Sequence, residues 1–258
     1  MTQSFLWRPI PITMLTVRQF VGGKTVRVVA ALAFIPCLFA AVYLVNSDVA
    51  TPADFLGTLF LEALIAPTLL PITVLILATA ALGHEVEDRT LPYLTLKPTA
   101  RLRIVVEKLV GVLVVAVPAV VAGLLATSLI VAQVDSGPSL IEPQPLGPVV
   151  RAMLVAATAG TVLIASVFLA VSLFVPRALL VGIVYAFAWE SLLGRFLPGI
   201  RVVSMRHYIQ SIYVGVLDDP MVTIENVATL RHSFITIAAV AVVAVLLATW
   251  RLRSMNLE

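Results

Sequence analysis

The chain has 258 residues, 60% hydrophobic and 12% charged, with a mean hydropathy of +1.07 and a formal net charge of +3. Such a balance excludes a soluble domain, and so small a net charge gives no basis for a nucleic-acid partner. The one cysteine, Cys37, lies in an apolar run and excludes an intramolecular disulfide.

Apolar runs near twenty residues recur along the sequence without the alternation that barrel strands need, so the expected fold is an all-α polytopic membrane protein forming one domain over 1–258. Residues 1–27 mix Arg8, Arg18, Lys24 and Arg27 with Leu6, Trp7, Leu15, Val17, Phe20 and Val21. This stretch is too short and too basic to span, and predicts an amphipathic helix in the membrane interface. No cleavable signal is expected, because the first apolar run starts only after Arg27 and lacks a small-residue cleavage site. Gly23-Lys24-Thr25 imitates the end of a phosphate-binding loop, but Arg18 stands where that motif needs glycine and no strand pattern precedes it.

Six spans are predicted, at about 28–45, 55–83, 109–132, 152–175, 178–194 and 233–250. Pro36 and Pro118 lie inside two of them, and Pro67 and Pro71 fall one turn apart in the second. Each proline removes a backbone donor, so neighbouring helices or hydroxyls such as Thr68 and Thr73 are expected to satisfy the freed carbonyls. Between spans five and six, residues 195–232 hold Met205, Tyr208, Ile209, Ile212, Tyr213, Val216 and Leu217 on one helical face, which predicts an interfacial or re-entrant helix in an outer loop. Six spans place both termini on one side. Twelve basic residues lie on that side against five on the other, which orients the termini and the loop 84–108 to the cytoplasm of the cell membrane.

Loop 84–108 is the most informative stretch. From Glu85 to Lys108 it carries nine charges: Glu85, Glu87, Asp88, Arg89, Lys97, Arg101, Arg103, Glu107 and Lys108. Burying them in lipid would cost on the order of 20 kcal/mol, so the stretch belongs in water or against a protein. Apolar residues at helical spacing (Leu91, Leu94, Leu102, Val105, Leu109) and breaks at Pro92 and Pro98 predict two short helices joined by a kink.

An acidic pair, a Thr-Leu, a leucine-rich turn, then Pro-x-x-Arg and a closing Lys resemble the type-2 ABC exporter permeases. The matching residues are Glu85, Glu87, Thr90, Leu91, Leu94, Pro98, Arg101 and Lys108. Two positions depart: Arg89 stands where a glycine usually precedes the threonine, and Glu107 where one usually precedes the lysine. The order of spans, basic N-terminal elbow, long first cytoplasmic loop, short second one and partly helical outer loop resembles the same family over nearly the whole chain. The resemblance implies a permease subunit that pairs with itself or a sister permease. It implies that 84–108 is the coupling helix docked on a separate ABC ATPase, present in two copies, which binds and hydrolyses the ATP.

Within the spans, Glu62 and Glu190 are the acids, and together with the Pro67–Pro71 pair they are candidates to line a pathway or gate; pairing at the interface with Arg195 or Arg201 is the competing reading. Met205, His207, Met221 and His232 match no established metal-ligand spacing, Asp218-Asp219 lacks the longer cluster of a membrane phosphotransferase, and no Ser-His-Asp or HExxH arrangement occurs. Neither catalytic nor cofactor nor metal residues are therefore expected in this chain. The alternative to a transport subunit is a non-transporting docking, assembly or sensor subunit using the same loop.

Overall fold

In hydrocarbon a backbone N–H or C=O finds no water, so each crossing segment must satisfy its own hydrogen bonds, and an α-helix does so. The computed structural model describes residues 11–45, 51–87, 100–134, 145–175, 177–186, 204–219 and 227–254, and every regular element among them is helical. The elements are α1 (Pro11–Gly22), α2 (Lys24–Val45), α3 (Pro52–Thr58), two π-helical turns (Leu59–Ala63 and Ile65–Leu69), α4 (Leu70–Glu87), α5 (Arg101–Val131), α6 (Leu146–Phe174), α7 (Ala178–Val184), α8 (Met205–Leu217) and α9 (Leu230–Ser254).

Among the described residues, five stretches are long and apolar enough to cross a bilayer: Lys24–Val45, Pro52–Gly83, Arg101–Val131, Leu146–Phe174 and Leu230–Ser254. The protein is thus an all-α, polytopic membrane protein. Of the expected span 178–194, only the part to residue 186 is described, and Glu190 lies outside the described residues.

The helices overrun the apolar windows that announce them. The second span begins at Pro52, where Thr51 caps it: the Asp54 N–H donates to Thr51 Oγ1 (3.2 Å) and the Thr51 hydroxyl donates to Asp54 Oδ2 (2.7 Å). The third begins at Arg101, so Arg101–Lys108 is no separate short helix but the first two turns of α5. At 1.5 Å per residue the 31 residues of α5 measure about 46 Å, against roughly 30 Å of hydrocarbon. Likewise Lys24 and Arg27 belong to α2, because the break after α1 falls at Gly23.

Helix α6 is the hub, packed by α4, α5, α8 and α9. Its buried face is rich in small residues (Ala152, Ala156, Ala157, Gly160, Ala165), which let neighbouring backbones come close where lipid offers no hydrophobic drive to pack. Outward, α2 presents Phe34, Leu38 and Val42, and α9 presents Ile235, Val242 and Leu246, apolar surfaces suited to hydrocarbon. A close backbone approach joins α2 to α5: a Cβ on Gly123 would collide with the Ala33 carbonyl. Half-buried Cys37 sits on the same seam, its Sγ 3.5 Å from Thr127 Oγ1.

Candidate functional site

Two places concentrate polar groups that the helices do not need for themselves. The first is the base of α5. Glu107 is 7% exposed and Lys108 fully buried. One Glu107 oxygen accepts from Arg103 Nε (2.6 Å) and the other from the Ile12 N–H (2.9 Å), while the Thr13 hydroxyl donates to the Glu107 carbonyl (2.8 Å). The Glu107 carboxylate thereby caps the start of α1 from another helix, where the exposed peptide N–H groups and the helix dipole favour negative charge. Thr13, Thr16 and Phe20 of α1 are buried, and Thr16 packs where Gly111 leaves no Cβ. Met14, Leu15 and Val21 remain exposed, so the apolar residues of α1 do not share one face: Phe20 turns inward and the others turn away from the bundle.

At the same end of the molecule, Arg101 donates to the carbonyl of Leu252 and Arg251 Nε reaches the Leu173 carbonyl (3.4 Å). Arg251 also lies 5.7 Å from the centre of the Phe174 ring. The start of α5, the end of α6, the end of α9 and helix α1 are thus gathered at one end of the bundle.

The second place is the break in the second span. Leu64, at φ −145° and ψ −49°, leaves the helical region between the two π turns, whose wider bonds run from Leu64 N–H to Leu59 O (3.2 Å) and from Leu69 N–H to Leu64 O (3.0 Å). Irregular backbone at membrane depth survives only when protein covers it, and Leu59, Phe60, Leu61, Ile65, Ala66, Pro67 and Leu69 are all buried. Helix α8 supplies the cover. Arg206 Nη2 (2.9 Å) and Gln210 Nε2 (3.0 Å) both donate to the Leu61 carbonyl. Ile209 presses on Gly160, midway along α6, and Tyr213 stacks on Phe60 with ring centres 5.3 Å apart. Burial, and secondarily the Asp54 carboxylate, push the Tyr213 phenol up to about 12.

Of the candidate pathway residues, Pro67 and Pro71 are buried in or next to this break and Glu62 is exposed on its first π turn. Local sequence pattern assigns Arg206 and Gln210 no such role; its one signal is the amphipathic period of 205–217, on whose polar side both residues fall. Of the residues expected to couple, Arg101 and Lys108 stand on the first two turns of α5, and Glu85 and Glu87 on the last turn of α4. Thr90, Leu91, Leu94 and Pro98 lie outside the described residues. No protein-family model matches the chain, and no curated protein matches it.

Proposed function

We propose that this chain is the membrane-spanning permease subunit of an ATP-driven ABC exporter, acting as a dimer and coupled through residues 84–108 to a separate ATPase. The observation that carries the reading is α5: one helix runs from Arg101, at the exit of the charged loop, through to Val131 at the far end of the bundle. A push on the loop is then delivered to the third span without an intervening joint. Through Glu107 and Arg101 it reaches α1 and α9 as well. ATP binding in the partner shifts the population toward an outward-open dimer, and no chemistry is done in this chain. The broken stretch at Leu64, flanked by Glu62, Pro67 and Pro71, is the hinge or path element on which that push acts.

A sixth crossing at 178–194 fits this reading. Arg177 shares a groove with Lys24 and Gly83 at one end of the bundle, whereas Leu230 packs on Gly215 of α8 at the other, so the chain changes ends between them. With the charged loop and both termini on the basic side, that end faces the cytoplasm.

The test is transport by vesicles holding the chain and its co-purified ATPase, with Leu91→Asp and the double variant Glu85→Lys, Glu87→Lys beside the wild type. The expected result is ATP-driven export by the wild type, no hydrolysis by the chain alone, and inserted but uncoupled variants. Unchanged ATPase binding and stimulation in both variants would sink the coupling role, and ATPase binding without transport would favour a docking or sensor subunit.

A further inference from the structure

We propose that a small cavity between α2, the second span and α5 binds one water molecule, which joins the Thr73 hydroxyl to the Leu32 carbonyl freed by Pro36. The cavity measures about 20 Å3, enough for a single water, which needs roughly 10–15 Å3. Leu32 and Pro36 line it from α2, Ile65, Leu70 and Thr73 from the second span, and Val120 from α5. All of these but half-buried Leu32 are buried, and Thr73 brings the one polar side chain to the described lining.

Thr73 sets this place apart. Buried threonines elsewhere in the bundle close on their own helix: Thr79, Thr127, Thr161 and Thr249 each donate to the carbonyl four residues back. Thr73 is 1% exposed, yet its hydroxyl has no hydrogen-bond partner among the described residues, not even the Leu69 carbonyl one turn earlier. A hydroxyl withdrawn from solvent without a partner is unfavourable, and a water beside it supplies both a donor and an acceptor. On the facing helix Pro36 has no N–H, so the Leu32 carbonyl, four residues earlier, lacks its helical donor. Both residues line the cavity, which puts that carbonyl at its edge. Two polar partners meet the minimum that holds a buried water, whereas an apolar guest would satisfy neither. The water accepts from or donates to Thr73 and donates to Leu32, so α2 and the second span are linked next to their prolines. The site does not depend on the transport reading, since the cavity belongs to the packing of the bundle.

Full-length protein in lipid nanodiscs is exposed to synchrotron X-rays, which turn bound water into hydroxyl radicals that oxidise the side chains touching it, and the sites are read by mass spectrometry. Rates are scaled to exposed Met14, so a change confined to the cavity is not a change of fold. Leu70, 2% exposed in the lining, should be oxidised several times faster than Leu77, which is fully buried away from it. Thr73→Val, close to threonine in shape, should bring Leu70 down to the Leu77 level. Thr73→Ser keeps the hydroxyl and should retain most of the labelling. Pro36→Ala returns a helical donor to the Leu32 carbonyl and should also lower labelling at Leu70. Leu70 oxidised no faster than Leu77 in the wild type, or as fast in Thr73→Val and Pro36→Ala as in the wild type, overturns the site.

Discussion

Arg206 hands a guanidinium hydrogen to the carbonyl of Leu61 across 145 positions of sequence, and in doing so joins α8 to the break in the second span. Gln210 adds a second donor to the same oxygen. Charge-assisted bonds of this kind contribute about 1.5–3 kcal/mol, neutral ones nearer 1. Arg206→Met should therefore lower the unfolding midpoint in detergent more than Gln210→Ala does. The double variant should lose more than the sum, because either donor alone still satisfies the shared oxygen and only removing both leaves it bare. Strict additivity in a thermal-unfolding cycle would mean that the oxygen is not shared.

The contact of Gly123 with Ala33 predicts a steep size dependence. Gly123→Ala forces α2 and α5 apart and should destabilise by about 1–3 kcal/mol, as overpacking does. Gly147→Ala, near the start of α6 with nothing within 4 Å, should be neutral. Denaturation of the two variants side by side checks the pair, and equal midpoints would contradict the backbone contact.

Removing the Glu107 carboxylate should release α1. In Glu107→Ala the Ile12 N–H and Arg103 lose their acceptor, so amide exchange across 11–22 should speed up while exchange in α6 stays slow. Glu107→Gln keeps one acceptor oxygen and should fall between the two. Hydrogen–deuterium exchange by mass spectrometry reads this directly, and unchanged protection in α1 would leave Glu107 without a capping role.

Tyr213 sets a limit at high pH. Its phenol is raised to about 12 in the fold, against about 10 when unfolded. The neutral form is thus favoured by folding: the stabilisation is complete below pH 10, then declines as pH climbs toward the folded value. Tyr213→Phe should flatten stability between pH 10 and 12, whatever it does at neutral pH. A parallel decline in wild type and variant would assign the effect to other groups.

Orientation is open to labelling. On a Cys37→Ala background, a cysteine replacing Thr95 should react only from the cytoplasmic side and one replacing Ser139 only from outside. Reversed labelling at either position would overturn the proposed six-span arrangement.

Much of the architecture is legible because hydropathy and helix length are tied to one quantity, the thickness of the hydrocarbon. The five candidate spans coincide with the apolar runs, and α8 coincides with the amphipathic period of 205–217. What hydropathy misses is where a helix continues beyond lipid, since Arg101–Lys108 is helical and polar at once. Pro67 and Pro71 foreshadow the break at Leu64 and the need for a neighbouring helix to repair it, but not that Arg206 and Gln210 supply the donors. Arg206 meets Leu61 only after α8 folds back onto the bundle, and no local pattern records a contact 145 residues apart. Glu107 shows the same limit: in sequence it is a charge in a charged loop, in the fold a cap for another helix.

The seam at Gly123 also bears on how such a chain can drift. A face turned to lipid accepts almost any apolar side chain, so Phe34, Leu38, Val242 and Leu246 can be exchanged freely among aliphatic and aromatic residues. Gly123 has no such freedom, because the Ala33 carbonyl already occupies the space of the missing Cβ, and at Gly111 and Gly160 a neighbouring side chain would have to give way. Ancestry in this fold would then be written in a few small residues spaced along two helices, while the bulk of the sequence, which dominates any overall identity, is the part that wanders.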